Sequence, residues 1–581
     1  MNLHASKLPF LLLLLFITTS NRFPMIKAPF PGSLGLEHID PTLPPVLPGQ
    51  TPKCSALVLQ QDFGGIVGST LASANYSHPR ECPFPWTRVV LELSIAASEV
   101  QKHRIAAVWI DGAEVLRSTT PVPMVQGAAF WKVQKDVTRY SALLRQFGVM
   151  YMMLENSQDA YPGVYSANVS LHFYRNAVEQ TNILGVTTSH PTIKGHYREP
   201  ADLILPISNK NGYTGSGFWL MINDESHVAT SAIKIPMNAY QAMLEIFVSY
   251  HGTDENWYTN PLGASNLGQP SNPFSQGTNG GFRQIYATID DKFVGGHIPF
   301  AVIYPGAINP SFWSPVASIG AFDMPSYYLE VTPFLSLLLD GQKHRFGLGV
   351  RDAQPYWLVT ANLHLWIDQF SDSCKAELVQ YNLPPLKITR NAEWTSVEGE
   401  SEIIAEGFQR YEGWVVSSKG NLTTIVEHKI KFTSKVEVHN QGLVKQVEMT
   451  NKETAQVKVL RDQQQLQLAE LTREGPLRVR TLSPSAPVGR MFARETILFH
   501  YLEETLSLSE NQATRTRRLM DRQDAEGSTL MLDGNPVWEN GSTRSYYNYR
   551  DEMTCYIREV NAAGGIVMMD KSASCAAVSD V

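Results

Sequence analysis

Residues 136–144, DVTRYSALL, return at 330–338 as EVTPFLSLL, and residues 167–174, ANVSLHFY, return at 361–368 as ANLHLWID. The offset is the same in both cases, 194 residues from 136 to 330 and from 167 to 361. Upstream, VVLELSI at 89–95 resembles AMLEIFV at 242–248, and WIDG at 109–112 resembles TIDD at 288–291, at the smaller offsets that insertions in the second copy produce. A shared offset kept in order means one fold used twice, with a period far beyond that of solenoid repeats.

That fold is mainly β. RVVLELSI, IAAVWIDG, GVMYMMLE, ANVSLHFY, AMLEIFVSY, QIYATIDD, HRFGLGV and ANLHLWI are alternating or solid apolar runs bounded by Gly, Pro, Asn and Asp, the pattern of half-buried and fully buried strands. About 120–170 residues per copy, with strands closed by long connections, predicts two tandem jelly-roll-like antiparallel sandwiches and a β-rich C-terminal region. The best helical periodicity is at 454–473, with short turns at 140–147 and 334–341. The expected division is a signal peptide at 1–22, a Pro-rich leader at 23–52, a first sandwich at 53–176 and a linker at 177–200 containing HPTIKGHYREP. A second sandwich at 201–370 and the C-terminal region at 371–581 complete it.

Lys and Arg number 48 against 55 Asp and Glu, a net charge of −7, with no long basic run; this gives no electrostatic footprint for nucleic acid. LPFLLLLLFIT at 8–18, after Lys7, is too short to span a bilayer and reads as a signal peptide. With no second run of that kind, the expected mature chain carries no membrane anchor and lies in the secretory pathway, outside the cell, in the wall or in a vacuole. An oxidising compartment favours disulfides, so we pair Cys54 with Cys82 and Cys555 with Cys575. Cys374 is left over, free or exchanging with either late cysteine. Sequons stand at Asn75, Asn168, Asn421 and Asn540.

A groove between two sandwiches is a natural ligand site. HGTDENWYTNP at 251–261 opens the second copy's long insertion, and its Asp254, Glu255, Trp257 and Tyr258 combine acids with aromatics, a composition suited to sugars. A solvated loop with two incidental aromatics has the same composition. His103 and Arg104, immediately before IAAVWIDG, are a site mouth or ordinary decoration at a strand end. No Ser-His-Asp, Cys-His or metal-ligand set can be argued from spacing.

Eight ordered motifs carry a resemblance: DFGGIVGSTLASANY, VWIDGAEVLRSTTPVP, KDVTRYSALL, YPGVYSANVSLHFY, ADLILPIS, VSYHGTDENWYTNP, FWSPV and GWVVSSKGNLT. Together they resemble the plant and fungal peptide-N-glycosidase A type glycoamidases, relatives of a bacterial enzyme with two jelly rolls. The resemblance implies hydrolysis of the amide between asparagine and the first N-acetylglucosamine of N-glycosylated peptides or proteins, without metal or cofactor, usually at acidic pH. It implies Glu255 as one catalytic acid, although Thr253 replaces the usual cysteine. It puts His103 where the family has the Asp of an Asp-Arg pair, so His103 takes a catalytic position with an altered side chain. Arg104 matches the Arg of that pair and is expected to hold the sugar or the amide oxygen. Glu155 matches a groove glutamate of the bacterial relative, and Arg283 matches a Phe-Arg pair expected to contact substrate or cap the sheet; His251 is equally open.

A protonated imidazole can donate a hydrogen bond but cannot take a proton from water. The expectation is therefore a weakened glycoamidase. The alternatives are a catalytically inactive relative that binds N-glycans, or a β-sandwich lectin or cell-wall protein. The C-terminal region is expected to support the fold or touch glycan, and TRTRRLMDR at 514–522 is an exposed basic candidate for nicking into two chains.

Overall fold

The computed structural model describes residues 35–574 apart from 47–49, 65–70, 98–101, 123–127, 156–162, 176–198, 211–216, 265–278, 484–490, 511–512, 533–534 and 553. The apolar run at 8–18, half of the leader, most of the linker, and Cys575 lie outside the described residues. Gly35–Val581 is one compact unit.

The first sandwich contains β1 (Leu36–His38), β2 (Cys54–Phe63), β3 (Ala72–Tyr76), β4 (Arg88–Ala97), β5 (Ile105–Ile110), β6 (Ala113–Thr119), β7 (Ala129–Asp136), β8 (Gly148–Leu154) and β9 (Tyr165–Tyr174). One sheet runs β1-β7-β4-β9-β2 and the other β3-β8-β5-β6. The second contains β10 (Leu203–Ile207), β11 (Leu220–Ile222), β12 (Ala229–Ile233), β13 (Ala239–Tyr250), β14 (Gln284–Ile289), β15 (Lys292–His297), β16 (Ser326–Glu330), β17 (His344–Arg351) and β18 (Trp357–Ile367). Its sheets run β10-β18-β13-β16, with β11 also on β18, and β12-β17-β14-β15. Leaving out β1 and β11, the two copies match strand for strand in chain order and sheet order: β7-β4-β9-β2 becomes β16-β13-β18-β10, and β3-β8-β5-β6 becomes β12-β17-β14-β15. Eight strands so arranged form a jelly roll, twice.

The quoted repeats have local physical causes. Asp136 and Glu330 each accept a backbone N–H from the Thr two residues on, starting the short helical turns at Thr138–Tyr140 and Thr332–Leu337. WIDG and TIDD both close two-residue hairpins, with φ of 49° and 84° at Asp111 and Gly112 and 47° and 66° at Asp290 and Asp291. Positive φ at both central residues suits the right-handed twist of the flanking strands, and Asp and Gly tolerate it best.

β6 ends its sheet, yet all seven residues are buried because it packs against β10 and β18 of the second sandwich. A bulge makes that contact polar. Val108 pairs Leu116 and Trp109 pairs Glu114, so Val115 has no partner, and the extra residue brings Glu114 and Arg117 to one face. Arg117, fully buried, donates to Glu114 at 2.7 and 2.8 Å, to Ser249 at 3.1 Å and to the Leu358 carbonyl at 2.6 Å. Asn362 donates to the Glu114 carbonyl at 2.7 Å, and the Thr360 hydroxyl to the Glu114 carboxylate.

The C-terminal region is a twelve-stranded sheet whose strands reach 20 residues. The helical expectation at 454–473 is wrong: Val444–Arg461 and Gln464–Glu474 are antiparallel strands joined at Asp462 and Gln463, both with positive φ. Gln, Lys, Glu and Leu favour a helix in isolation, but pairing to neighbours on both sides overrides that preference. The expected nicking stretch at 514–522 is likewise no open loop. It lies in Ala513–Leu532, paired along its whole length to Met491–Glu510 and from Arg518 onward also to Asn535–Arg550, so its backbone is already committed to ladders.

Cys54 and Cys82 are bonded, Cys555 is disulfide-bonded, and Cys374 is free and buried. The Asn75, Asn421 and Asn540 side chains are exposed, and Asn168 is half-buried.

Removing Arg117 alone leaves Glu114 charged and enclosed, which costs about 3–5 kcal/mol. Arg117→Met should therefore lower the denaturant midpoint far more than the double variant Glu114→Gln/Arg117→Met; equal losses would show that the two residues are not an energetic pair.

Candidate active site

Register in both sandwiches brings four titratable side chains to one place. Ala106 of β5 pairs Leu154 of β8, so Glu155 just past β8 lies beside the start of β5, and its N–H donates to the Ile105 carbonyl at 2.7 Å. His103 and Arg104 immediately precede β5. In the second sandwich Tyr250 of β13 pairs Trp357 of β18, so the residues one step beyond, His251 and Tyr356, meet. They exchange backbone hydrogen bonds at 2.9 and 3.2 Å, and their rings stack with centroids 4.9 Å apart and 4° between planes.

The loop after His251 turns on Gly252, whose φ is +58° and where a Cβ would lie 2.8 Å from the Pro355 carbonyl oxygen. Thr253 donates to that carbonyl through both N–H and hydroxyl, at 2.8 Å each. A single helical turn, Gly252–Asp254, then sends adjacent acids in opposite directions. Asp254 is fully buried and accepts from Arg283 at 2.7 and 2.5 Å, from Trp357 Nε1 at 2.7 Å and from the Gln354 N–H at 2.9 Å. Glu255 turns outward, with its side chain 33 % exposed.

The result is two carboxylate–imidazole pairs. Glu255 Oε1 lies 3.4 Å from His103 Nε2, and Glu155 Oε1 lies 2.9 Å from His251 Nδ1. Tyr356 donates its hydroxyl to Glu155. Burial pushes the Glu155 carboxyl up, but the charge and hydrogen bond of His251, with the Tyr356 bond, outweigh it and hold the group below the usual carboxylate range. Burial also pushes Glu255 up, and the hydrogen bond and charge of His103 more than reverse it. His103 is seated by Tyr304, with ring centroids 5.6 Å apart, and by Gly306, where a Cβ would meet its Nδ1 at 2.5 Å. His251 Nε2 is 3.0 Å from the Ser249 hydroxyl, which also receives Arg117.

The expected site residues therefore divide. Glu255, His103, Glu155 and His251 come together. Arg104 sits beneath them, 6 % exposed, its guanidinium over the Tyr165 ring at 5.4 Å and its Nε without a hydrogen-bond partner. Asp254, Trp257 and Tyr258 were expected to touch substrate and Arg283 to touch substrate or cap the sheet; the substrate contacts are corrected, since Arg283 and Asp254 are a buried ion pair and both aromatics are fully buried in the core beneath the loop. Their acidic and aromatic composition anchors the loop that carries Glu255.

Tyr356, Ser249, Tyr304 and Gly306 were missed, since each reaches the site through a long-range pairing or approach that no local motif signals. The C-terminal region was expected to support the fold or touch glycan, but which of its residues approach the site was missed. Thr253, Asn256 and Thr259 of the loop face Lys445 and Arg494 of that sheet across a cleft of about 180 Å³, where burial, then the charge of Arg494, brings Lys445 down to about 7.

Against known proteins, residues 42–384 match the family described as peptide N-acetyl-beta-D-glucosaminyl asparaginase amidase A. The chain is 32 % identical over 537 residues to the peptide-N4-(N-acetyl-beta-glucosaminyl)asparagine amidase A of Prunus dulcis, covering 91 % of each. Solved structures that it resembles include PNGase F, a glycosylasparaginase from Flavobacterium meningosepticum, with 12 % identity, a TM-score of 0.32, and coverage of 53 % of this chain and 96 % of that one. A recombinant peptide N-glycanase F gives 13 %, 0.33, 54 % and 96 %.

Asp254→Asn should cost about 3–5 kcal/mol in chemical denaturation by leaving Arg283 buried without its partner. A variant as stable as the parent would put Asp254 back among solvent-facing residues.

Proposed function

The chain belongs to the peptide N-acetyl-beta-D-glucosaminyl asparaginase amidase A family, and we propose that it hydrolyses the amide joining asparagine to the first N-acetylglucosamine of N-glycosylated peptides or proteins, weakly because of His103. The observation that carries this reading is the convergence of Glu255, Glu155, His103 and His251 where the two sandwiches meet, with Glu255 open to the groove.

Glu255 is placed to orient a water beside the asparagine side-chain carbonyl and take its proton. The water oxygen bonds to the carbonyl carbon, the carbon–nitrogen bond breaks, and the proton goes to the departing nitrogen. Asparagine becomes aspartate and the glycan leaves as a glycosylamine. His103, when protonated, is a donor for the charge that gathers on the carbonyl oxygen, while Arg104, buried over the Tyr165 ring, supports the strand end that carries it. Glu155, held by His251 and Tyr356, fixes the far wall or receives sugar hydroxyls. His103 beside Glu255 holds that carboxyl below the usual glutamate range and so lowers its basicity, and base strength enters the rate directly. This is the physical cost of having an imidazole where the relatives have a carboxylate. The same substitution favours one other reading, a relative that binds N-glycans without cleaving them.

The Cys54–Cys82 bond, the apolar run at 8–18 and the sequons support a location in the secretory pathway, extracellular, in the wall or vacuolar. Incubation with a defined glycopeptide, read by mass spectrometry, separates the two readings: conversion of Asn to Asp with glycan release marks hydrolysis, and retention of the intact glycopeptide marks binding alone. In that assay Glu255→Gln, nearly isosteric but no base, should abolish release while sparing binding. Unchanged turnover would remove Glu255 from the mechanism.

Because Glu255 is held below the ordinary glutamate value of 4.5 chiefly against its burial by His103, the acid limb of kcat/KM should lie below pH 4.5 in the parent. His103→Ala deletes the lowering partner and leaves the burial, so its acid limb should move to higher pH. His103→Asp should raise release at pH 5 by at least about tenfold, the low end being below a usual general acid–base contribution. An acid limb that stays put in His103→Ala would show that the two side chains are not coupled.

A further inference from the structure

Away from this groove, β15 of the second sandwich meets two neighbouring strands of the C-terminal sheet, Gly420–His439 and Val444–Arg461. His428 pairs Ala455 and Ile430 pairs Glu453, so His428 and Glu453 are diagonal neighbours on one face, and that face receives His297. All three side chains are buried.

Their hydrogen bonds do not balance with protons alone. His297 Nε2 is 3.0 Å from the Tyr328 carbonyl, which can only accept, so that nitrogen carries a hydrogen. Nδ1 of the same ring is 2.8 Å from Glu453 Oε2 and, in the neutral ring, presents a lone pair to a carboxylate. Glu453 Oε1 is already occupied by the Ile298 N–H at 2.8 Å, which aims Oε2 at the histidines. His428 Nε2, 3.7 Å from the same Oε2, is buried without a hydrogen-bond partner. A second proton on His297 would satisfy one contact and leave the His428 nitrogen unmatched. A divalent cation satisfies both.

We propose that His297, His428 and Glu453 form a zinc-class cation site that fastens the C-terminal sheet to the second sandwich. Two imidazoles and a carboxylate suit zinc, whereas calcium and magnesium select oxygen ligands. The backbone bonds to His297 Nε2 and Glu453 Oε1 are the outer contacts that orient metal ligands. The ligand atoms lie within 4.8 Å of one another; a tetrahedral set with bonds of about 2.1 Å brings ligand atoms to about 3.4 Å of one another, so side-chain displacements on the order of an ångström close the set. Three protein ligands leave a fourth position for water. The ion has no part in the hydrolysis.

The test is the metal content of the full-length protein, produced with zinc in the medium and dialysed against metal-free buffer. About one zinc per chain is expected, with a lower melting temperature after exposure to a strong chelator. Glu453→Gln, which keeps the shape but loses the charge, should lose at least about tenfold in zinc affinity and its melting should be indifferent to chelator. Zinc below about a tenth of stoichiometry in the parent overturns the proposal and makes the cluster a proton-sharing triad, and that measurement stands even if the variant fails to fold. Equal zinc in parent and variant also overturns it, by placing the metal elsewhere.

Discussion

The enclosed charge pair between Glu114 and Arg117 sets how the two sandwiches meet. A buried ion pair is a weak source of stability, because desolvation consumes most of the attraction, but it penalises any arrangement that leaves either charge alone. Arg117 reaches Ser249 and the Leu358 carbonyl, and Thr360 and Asn362 reach Glu114, so only one docking of the first sandwich on β13 and β18 satisfies every partner. The bulge at Val115 makes that possible by putting two residues three apart on the same face of an edge strand, which would otherwise be open to unwanted pairing.

From that clamp the order passes to the groove through contacts. Arg117 holds Ser249, Ser249 holds His251, and His251 holds Glu155, so a carboxylate of the first sandwich is positioned by a histidine of the second, which is in turn positioned by an arginine of the first. His103 and Glu255 form the reverse pairing, imidazole from the first copy and carboxylate from the second. Neither jelly roll carries a complete set.

The duplicated fold was legible because its signals are local and periodic: apolar alternation, carboxylate-capped turns after β7 and β16, and hairpins that demand positive φ at Asp111 and Asp290. Glu255, Glu155 and His103 were legible only by resemblance, since nothing in their immediate neighbours says that they converge. The failures share one cause. HGTDENWYTNP has the composition of a sugar platform, but composition does not state which side of a turn faces inward, and Asp254, Trp257 and Tyr258 face the core. Residues 454–473 have helix-forming composition, but two neighbouring strands claim their backbone. Arg117 and Tyr356 gave no signal, because their importance lies in partners more than a hundred residues away.

The single turn that separates Asp254 from Glu255 makes loop length, more than loop chemistry, the quantity held fixed at this position. Deleting or inserting one residue between Gly252 and Glu255 would rotate the pair by about 120° in a three-residue turn, swinging the groove carboxylate toward Arg283 and the anchoring one toward water. Substitution at Thr253 or Asn256 can be absorbed by neighbours, whereas a change in register cannot, so divergence in this segment should proceed by exchange of side chains and not by change of length.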